Sequence, residues 1–170
     1  RSTQSVLNIV YFNRKEKPTL IFNITPTDSK PYGGYDNSDR QIIYRGLEFA
    51  YDFELFEKAK TRLNYVFTET IYGDLRSIPK HSISGLIDIP ITVKTYLSLI
   101  GQFTGNRIAN DFTELDPYSL FTLQINYQLE KLNTNLFFSI FNLFDTQYVI
   151  IPQYQTRGRN IMMGLTVNLF

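Results

Sequence analysis

Hydrophobic and polar positions alternate along most of this chain with a period of two, the mark of β-strands whose two faces meet unlike surroundings. The pattern is cleanest in three places. Leu47, Phe49, Tyr51, Phe53 and Leu55 alternate with Gly46, Glu48, Ala50, Asp52 and Glu54. Phe121, Leu123, Ile125, Tyr127 and Leu129 alternate with Thr122, Gln124, Asn126 and Gln128. In the closing run, Ile161, Met163, Leu165, Val167 and Leu169 alternate with Asn160, Met162, Gly164, Thr166 and Asn168. Nine segments read as strands: about residues 3–12, 19–25, 40–56, 61–72, 81–91, 95–105, 118–129, 132–144 and 159–170. The first, fifth and eighth are less clean, and Phe137 and Phe141 fall on the polar side of the eighth. Residues 57–62 have some helical propensity but only join two strands. The chain is all-β.

The connections, residues 13–18, 26–39, 57–60, 73–80, 92–94, 106–117, 130–131 and 145–158, alternate short and long. A soluble sandwich has no reason to gather its long loops at one end, whereas a transmembrane barrel has short turns on one side and long loops on the other. Polarity alone leaves open a soluble sandwich or lipocalin-like barrel with the apolar face inward. Two features favour apolar-outward. Glu48, Asp52, Arg62 and Asp88 stand in mid-strand on the polar face, which is costly in a dry core but tolerable in a wet lumen. The apolar face carries aromatics near strand ends (Tyr11, Phe56, Tyr72, Tyr118 and Tyr127), as interfacial girdles require. On this reading the odd positions of the last strand face lipid and the long loops are extracellular. The C-terminus is then periplasmic and Arg1, nine strands earlier, extracellular. Bacterial single-chain barrels have an even strand number, so nine strands imply part of a larger barrel.

Composition narrows the picture further. At 170 residues there is room for one domain. A net charge of +1 with no long basic run excludes a nucleic-acid partner, and Arg14-Lys15-Glu16-Lys17 reads as a solvated turn. The absence of cysteine excludes a disulfide framework or thiolate metal site. Leu136 to Phe144 is the most apolar stretch, far short of the roughly 20 residues of a spanning helix. The chain starts at Arg1 without an initiator Met or an apolar leader, so it is either processed or a piece of a longer polypeptide. The odd strand count favours the second.

Three groups invite a chemical reading, and each has a plainer one. His81, Ser82, Ser84 and Asp88 suggest a hydrolase, but His81 and Ser82 point to opposite faces of a strand, and Asp88 lies about 23 Å along it. Glu48, Asp52 and Glu54 share a face at about 7 Å spacing, too far apart to chelate a cation unaided. A lumen-lining acidic ladder fits better. Tyr32-Gly33-Gly34-Tyr35 leads into no helix and has no Lys-Ser/Thr after it, so it is a flexible loop rather than a phosphate cradle. No catalytic residue, metal site or cofactor is expected.

Asn142-Leu143-Phe144-Asp145-Thr146-Gln147-Tyr148, then Gly158-Arg159, then Gly164 to Phe170, resemble the C-terminal box of TonB-dependent outer-membrane receptors. Tyr35-Asp36-Asn37 with Arg45-Gly46-Leu47-Glu48 resembles another signature of that family, and Ile78-Pro79-Lys80-His81 a third. The matches keep their order from about Pro18 to Phe170. Arg157 stands where the family usually has Pro, and one extra residue in the final strand gives Leu169, not Phe170, the outward phase. The resemblance implies that residues 1–170 are the C-terminal part of an outer-membrane barrel of about 22 strands. It also implies a plug domain absent from this chain, and a transporter of a scarce ligand such as a siderophore, cobalamin or glycan rather than an enzyme. Implied partners are the rest of the barrel and the plug, the TonB complex through the missing N-terminal part, outer-membrane lipid, and a surface lipoprotein in the alternative role of envelope scaffold. A self-closed small barrel with pore or enzyme function is a third alternative. Ligand contacts are expected in the long loops, at Tyr32, Tyr35 and Asn37, at Arg107, Asn110 and Asp111, and at Tyr148, Gln153, Tyr154 and Gln155.

Overall fold

The computed structural model describes residues 5–17, 19–23, 25–29, 31, 33–39, 41–56, 58–72, 77–109 and 112–167. Among the described residues twelve strands follow one another: β1 Val6–Glu16, β2 Thr19–Asn23, β3 Gly34–Ser38, β4 Ile42–Leu55, β5 Ala59–Tyr72, β6 His81–Thr92, β7 Thr95–Thr104, β8 Arg107–Ile108, β9 Glu114–Leu115, β10 Tyr118–Leu129, β11 Thr134–Phe141 and β12 Asn160–Val167. Eight of them form one antiparallel sheet in the order β1-β4-β5-β6-β7-β10-β11-β12. The other four make two small hairpins, β2–β3 and β8–β9, inside the connections. The sheet is open: β1 and β12 are its edges. Among the described residues no helix is long and apolar enough to cross a membrane, which says nothing about strands.

Register turns eight separate alternations into two continuous surfaces, because partners across antiparallel strands share a face. One row runs Ile9, Phe49, Tyr65, Ile83, Phe103. Farther along the sheet the same face carries Leu97, Ile125, Phe138 and Met163, and beside them Tyr127, Leu136 and Leu165. The opposite face carries Glu48, Asn64, Ser84, Gln102, Asp88, Ser98, Gln124 and Asn135. Ion pairs and hydrogen bonds there run across strands. Arg62 Nε and Nη2 donate to Asp52 at 2.6 and 3.2 Å, and Asn64 Nδ2 donates to Ser84 Oγ at 3.3 Å. Ser98 donates to Asp88. The four odd positions of β12, Ile161, Met163, Leu165 and Val167, lie in the apolar face, and Leu165 and Met163 are widely exposed.

Two aromatic residues on the polar face, Phe12 and Phe137, sit over glycines, whereas Phe141 pairs with Asn160. Phe12 lies on the polar face above Gly46, where a Cβ would come within 2.5 Å of the ring and 2.0 Å of the Phe67 carbonyl. Phe137 covers Gly164 in the same way, with 2.6 Å left for a Cβ. A large side chain on the polar face therefore fills the space of a missing neighbour across the ladder.

The second expected strand, residues 19–25, does not enter the sheet. It pairs with β3, which the sequence reading placed inside the loop 26–39. Five residues at about 3.3 Å each are too short for a crossing that takes about 9–11, so its alternation serves a local hairpin. The main sheet consequently has eight strands, not nine. The long connections 17–41, 73–80, 105–117 and 142–159 all lie at one end, and the short ones 56–58, 93–94 and 130–133 at the other. The start of β1 is thus at the short-turn end, as is the end of β12, at the opposite edge of the sheet. The expectation that the chain's beginning lies on the long-loop side is corrected, since an even number of crossings returns the chain to its starting side. Leu169 and Phe170 lie outside the described residues.

Candidate functional site: the long-loop end

The connection 142–159 is held in shape by the residues of the motif that begins it. Asn142 is left-handed (φ 50°) and only 6% exposed; its Nδ2 donates to the Thr146 carbonyl at 3.0 Å and its Oδ1 accepts from the Thr146 N–H at 2.9 Å. Leu143 N–H donates to the Phe121 carbonyl at 2.8 Å, and Phe144 meets the Phe121 ring edge-on at 5.3 Å. Asp145, also left-handed, accepts the Arg159 N–H on Oδ1 at 2.7 Å, closing the two ends of the loop. Gly158 is small for that reason: a Cβ there would stand 2.8 Å from Asp145 Oδ1. The residues Asn142, Asp145, Gly158 and Arg159 are therefore a structural staple, each placed by a hydrogen bond or a close approach.

Farther into the loop, Thr156 Oγ1 donates to the Tyr148 carbonyl at 2.6 Å. The Tyr148 ring packs on Tyr118 at 4.7 Å, and the Arg107 guanidinium lies over Tyr118 at 5.0 Å. Arg107 also donates through Nη2 to the Val149 carbonyl. At 7% exposure it is buried between two connections, and its Nη1 has no hydrogen-bond partner among the described residues. This stack ties the 105–117 connection to the 142–159 connection. The 105–117 connection is tied in turn to its other neighbour, since Ser77 N–H donates to the Ile108 carbonyl at 2.7 Å and Gly105 N–H to the His81 carbonyl at 2.8 Å.

Two cavities adjoin the 142–159 connection. One of about 360 Å³ lies within the 142–159 connection, walled by Tyr148, Ile150, Ile151 and Tyr154 with Gln155 and Arg157. The other, about 560 Å³, lies on the polar face, where Gln102, Gln124 and Asn160 are mixed with Ile100, Leu120 and Met162, and again includes Tyr148 and Arg157.

Of the residues expected to contact a ligand, Tyr148, Tyr154 and Gln155 come together in the first cavity. Gln153 sits beside them at an exposed left-handed turn (φ 68°). Arg107 is placed behind Tyr148 as a clamp. Tyr35 and Asn37 lie on the separate β2–β3 hairpin and line neither cavity. Tyr32, Asn110 and Asp111 fall outside the described residues. Arg157, Ile150 and Ile151 were missed as cavity residues; only the unusual Arg before Gly158 marked the place in the sequence.

The other groups resolve into structure. His81 stands on the apolar face with Nδ1 2.9 Å from the Tyr65 hydroxyl and its ring against Tyr65 and Phe67, while Ser82, Ser84 and Asp88 line the opposite face. Neither Ser82 nor Ser84 shares its face with a carboxylate beside it, because one residue along a strand reverses the face. Asp52 is matched by Arg62 and Glu54 faces Lys60 across the ladder, whereas Glu48 faces Val66. Among the described residues no group of His, Asp and Glu is placed to hold a metal ion.

No protein-family profile and no curated protein matches the sequence. Solved structures do. The ferric enterobactin receptor PfeA matches 96% of this chain with a TM-score of 0.73 at 18% identity, over 29% of its own length. The ferripyoverdine receptor of the outer membrane of Pseudomonas aeruginosa matches 95% at 0.70 and 14% identity, over 24% of its length. The ferric-catecholate import receptor Fiu of E. coli K12 matches 95% at 0.67 and 14% identity, over 25%. The chain spans about a quarter of the length of these receptors. The likeness shows the fold: these residues have the architecture of one side of such a receptor's β-barrel.

Proposed function

We propose that the chain is the C-terminal part of the barrel of a TonB-dependent outer-membrane transporter, one that imports a scarce ligand. The observation that carries the reading is the two-faced sheet with every long connection at one end. A lipid-facing band, a polar lumen wall and a ligand-gathering loop end are what a plugged import barrel needs. The apolar face, with exposed large side chains on β1, β4, β5, β6, β10, β11 and β12, then meets lipid, and the Asp52–Arg62 row on the opposite face meets the lumen and a plug domain. The open edges at β1 and β12 pair with the rest of the barrel, because unpaired backbone groups in lipid cost several kcal/mol each. Transport in this design is a binding and gating process and involves no covalent chemistry by the chain. The solved receptors of the same fold are described by their ferric ligands, which makes iron chelates the first class to try.

The test uses the complete polypeptide that contains this chain. Cells carrying it should accumulate an iron chelate under iron limitation, and collapse of the inner-membrane proton gradient should abolish the accumulation. Uptake that persists unchanged without the gradient, or growth and uptake indifferent to deletion of the gene across iron, cobalamin and glycan substrates, would leave the scaffold role instead.

A further inference from the structure

The apolar face of the sheet changes character row by row toward the long-loop end. Ile9, Phe49, Tyr65 and Ile83 form one row. The next, about 7 Å nearer the loops, holds Tyr11, Leu47, Phe67 and His81. Beyond it come Asn13, Arg45 and Glu69, then Lys15 beside Ile43. Apolar, aromatic and charged rows in this order are the profile of a bilayer interface, with rings at the level of the headgroups. Toward the short turns the same face runs through Phe53, Thr61 and Ile87 to Leu55 and Ala59 without a charged side chain. At the long-loop end Lys15, Arg45, Lys80 and His81 are all exposed. Lys80 Nζ lies 5.7 Å from the centroid of the Phe67 ring, and Glu69 engages Arg45 through Nε. Among the described residues Lys15 and Lys80 meet no carboxylate, so Lys15, Arg45 and Lys80 stand against Glu69 alone on this face. His81 has Nδ1 2.9 Å from the Tyr65 hydroxyl and stacks on that ring, which leaves Nε2 for an outside partner. A lone cation at an interface snorkels to water and needs no partner. Cations gathered over an aromatic floor repel one another until an anion joins them. A soluble anion would use the charges and leave the apolar rows idle. The headgroup phosphate of a lipid whose chains lie against Phe49 and Ile83 uses both.

We propose that Arg45, Lys80 and His81 seat the phosphate of an outer-leaflet lipid against the outer wall of β4–β6. The inference rests on reading the sheet as part of an outer-membrane barrel, and it adds a ligand on the face that transport does not use. Arg45 is on β4 and His81 opens β6, two strands or roughly 10 Å apart, with Phe67 on β5 between them. Arg45 offers its Nη donors and Lys80 a point charge. A phosphate oxygen at His81 Nε2 selects the tautomer in which Tyr65 donates its O–H to Nδ1. The seat stands at the root of two long connections. The Lys80 carbonyl accepts the Thr68 N–H at 3.0 Å, and the His81 carbonyl accepts the Gly105 N–H at 2.8 Å. A bound lipid therefore bears on the bases of both 73–80 and 105–117 from the membrane side.

The experiment uses the purified complete polypeptide in phosphatidylcholine nanodiscs that also carry phosphatidic acid or diacylglycerol, its twin without the phosphate. Native mass spectrometry counts the lipid that stays with the protein. Phosphatidic acid should be retained in preference. Arg45→Gln and Lys80→Gln should each reduce that preference about fivefold, the weight of one basic residue at a charged lipid surface. Glu69→Gln should raise it, and Lys94→Gln, at the short-turn end, should leave it unchanged. Excess inorganic phosphate should not displace the lipid. Equal retention of the two lipids overturns the seat. So does a loss in Lys94→Gln as large as in Lys80→Gln, which would report surface charge in general. Displacement by inorganic phosphate assigns the site to a soluble anion and overturns it too. Heat-modifiable migration shows that each variant is a folded barrel. A polypeptide that neither enters the discs nor shows this migration sinks the barrel reading together with the seat. A folded, inserted protein indifferent to the phosphate sinks the seat alone. Failure of chelate uptake by cells, with the lipid preference intact, sinks transport and leaves the seat standing.

Discussion

At the short-turn end of the sheet, each connection is held by its own residues. Lys94 N–H donates to Thr92 Oγ1 at 3.1 Å within the 93–94 turn, and Asn133, left-handed at φ 50°, donates its N–H to the Glu130 carbonyl at 3.1 Å. The 93–94 turn also meets its neighbour, through Lys94 and Glu130, 3.0 Å apart, and through the Gln128 N–H, which donates to the Lys94 carbonyl at 2.8 Å. At the long-loop end the decisive contacts join residues far apart in sequence: Ser77 with Ile108, Arg107 with Val149, Asp145 with Arg159. Turns that close locally keep strands paired and ask nothing of their neighbours. Loops that brace one another can hold cavities open and fix side chains around them. The division of labour between the two ends is therefore visible in the sequence distance of their hydrogen bonds.

The sharpest break of this comparison is topological and all-or-none. Cysteines placed singly at Gly34 and Gln153 should react with a membrane-impermeant thiol reagent in intact cells. One placed at Lys131 should react only after the outer membrane is permeabilised. Labelling of Lys131→Cys in intact cells with protection of the other two would exchange the two ends and remove the long loops as ligand contacts.

Next comes the distinction between the two faces. Leu165 and Thr166 are neighbours on β12, but Leu165 pairs with Leu136 on the apolar face and Thr166 with Asn135 on the polar one. Leu165→Arg should cost about 2–4 kcal/mol where lipid is the surrounding medium, and Thr166→Arg clearly less. Equal losses in a bilayer folding titration would deny that the faces differ.

A smaller effect should come from the staple. Asp145→Ala removes the acceptor of the Arg159 N–H and should cost about 1–3 kcal/mol, the penalty of one lost charge-assisted bond. Gly158→Ala should act in the same direction by pushing the carboxylate away. The loss should be local, appearing as faster protease cleavage within 145–158 while the sheet keeps its heat-modifiable migration. Uniform cleavage across the short turns as well would mean that the staple supports the whole sheet.

The smallest effect belongs to the short-turn end. The Glu130 carboxylate, by its hydrogen bond and then by its charge, holds the Lys94 ammonium above the usual lysine range. A raised folded-state pKa contributes stability in full below the unfolded value, and the contribution is lost as pH rises through the folded one. Lys94→Met should therefore differ slightly from the unaltered protein at neutral pH, and the difference should fade in strongly alkaline solution. High salt should reduce it too, since both groups are exposed. A difference independent of pH and salt would assign the effect to packing of the stem.

The all-β class, the two-faced strands and the alternation of loop lengths were legible because each rests on local spacing. Leu47 to Leu55 and Ile161 to Val167 announce their faces without knowledge of any partner. Residues 19–25 misled because alternation states that a segment is a strand, not which strand it joins; length decided that. Phe137 contradicted the pattern because the glycine it covers, Gly164, lies on another strand.

For the candidate site the split is similar. Tyr148, Tyr154 and Gln155 could be named because exposed aromatics and amides in a long loop suit recognition. Arg107 could be named but not understood: its burial and its bond to Val149 depend on a loop beginning some way along the chain. The sequence by itself determined the strands, their faces and the position of the long loops, since period, length and turn residues act over a few residues. Only the tertiary structure decided that eight strands share one sheet, and that Arg107, Tyr118 and Tyr148 stack across two loops. It alone placed Arg157 in the wall of two cavities, because such contacts arise only when register sets distant loops side by side.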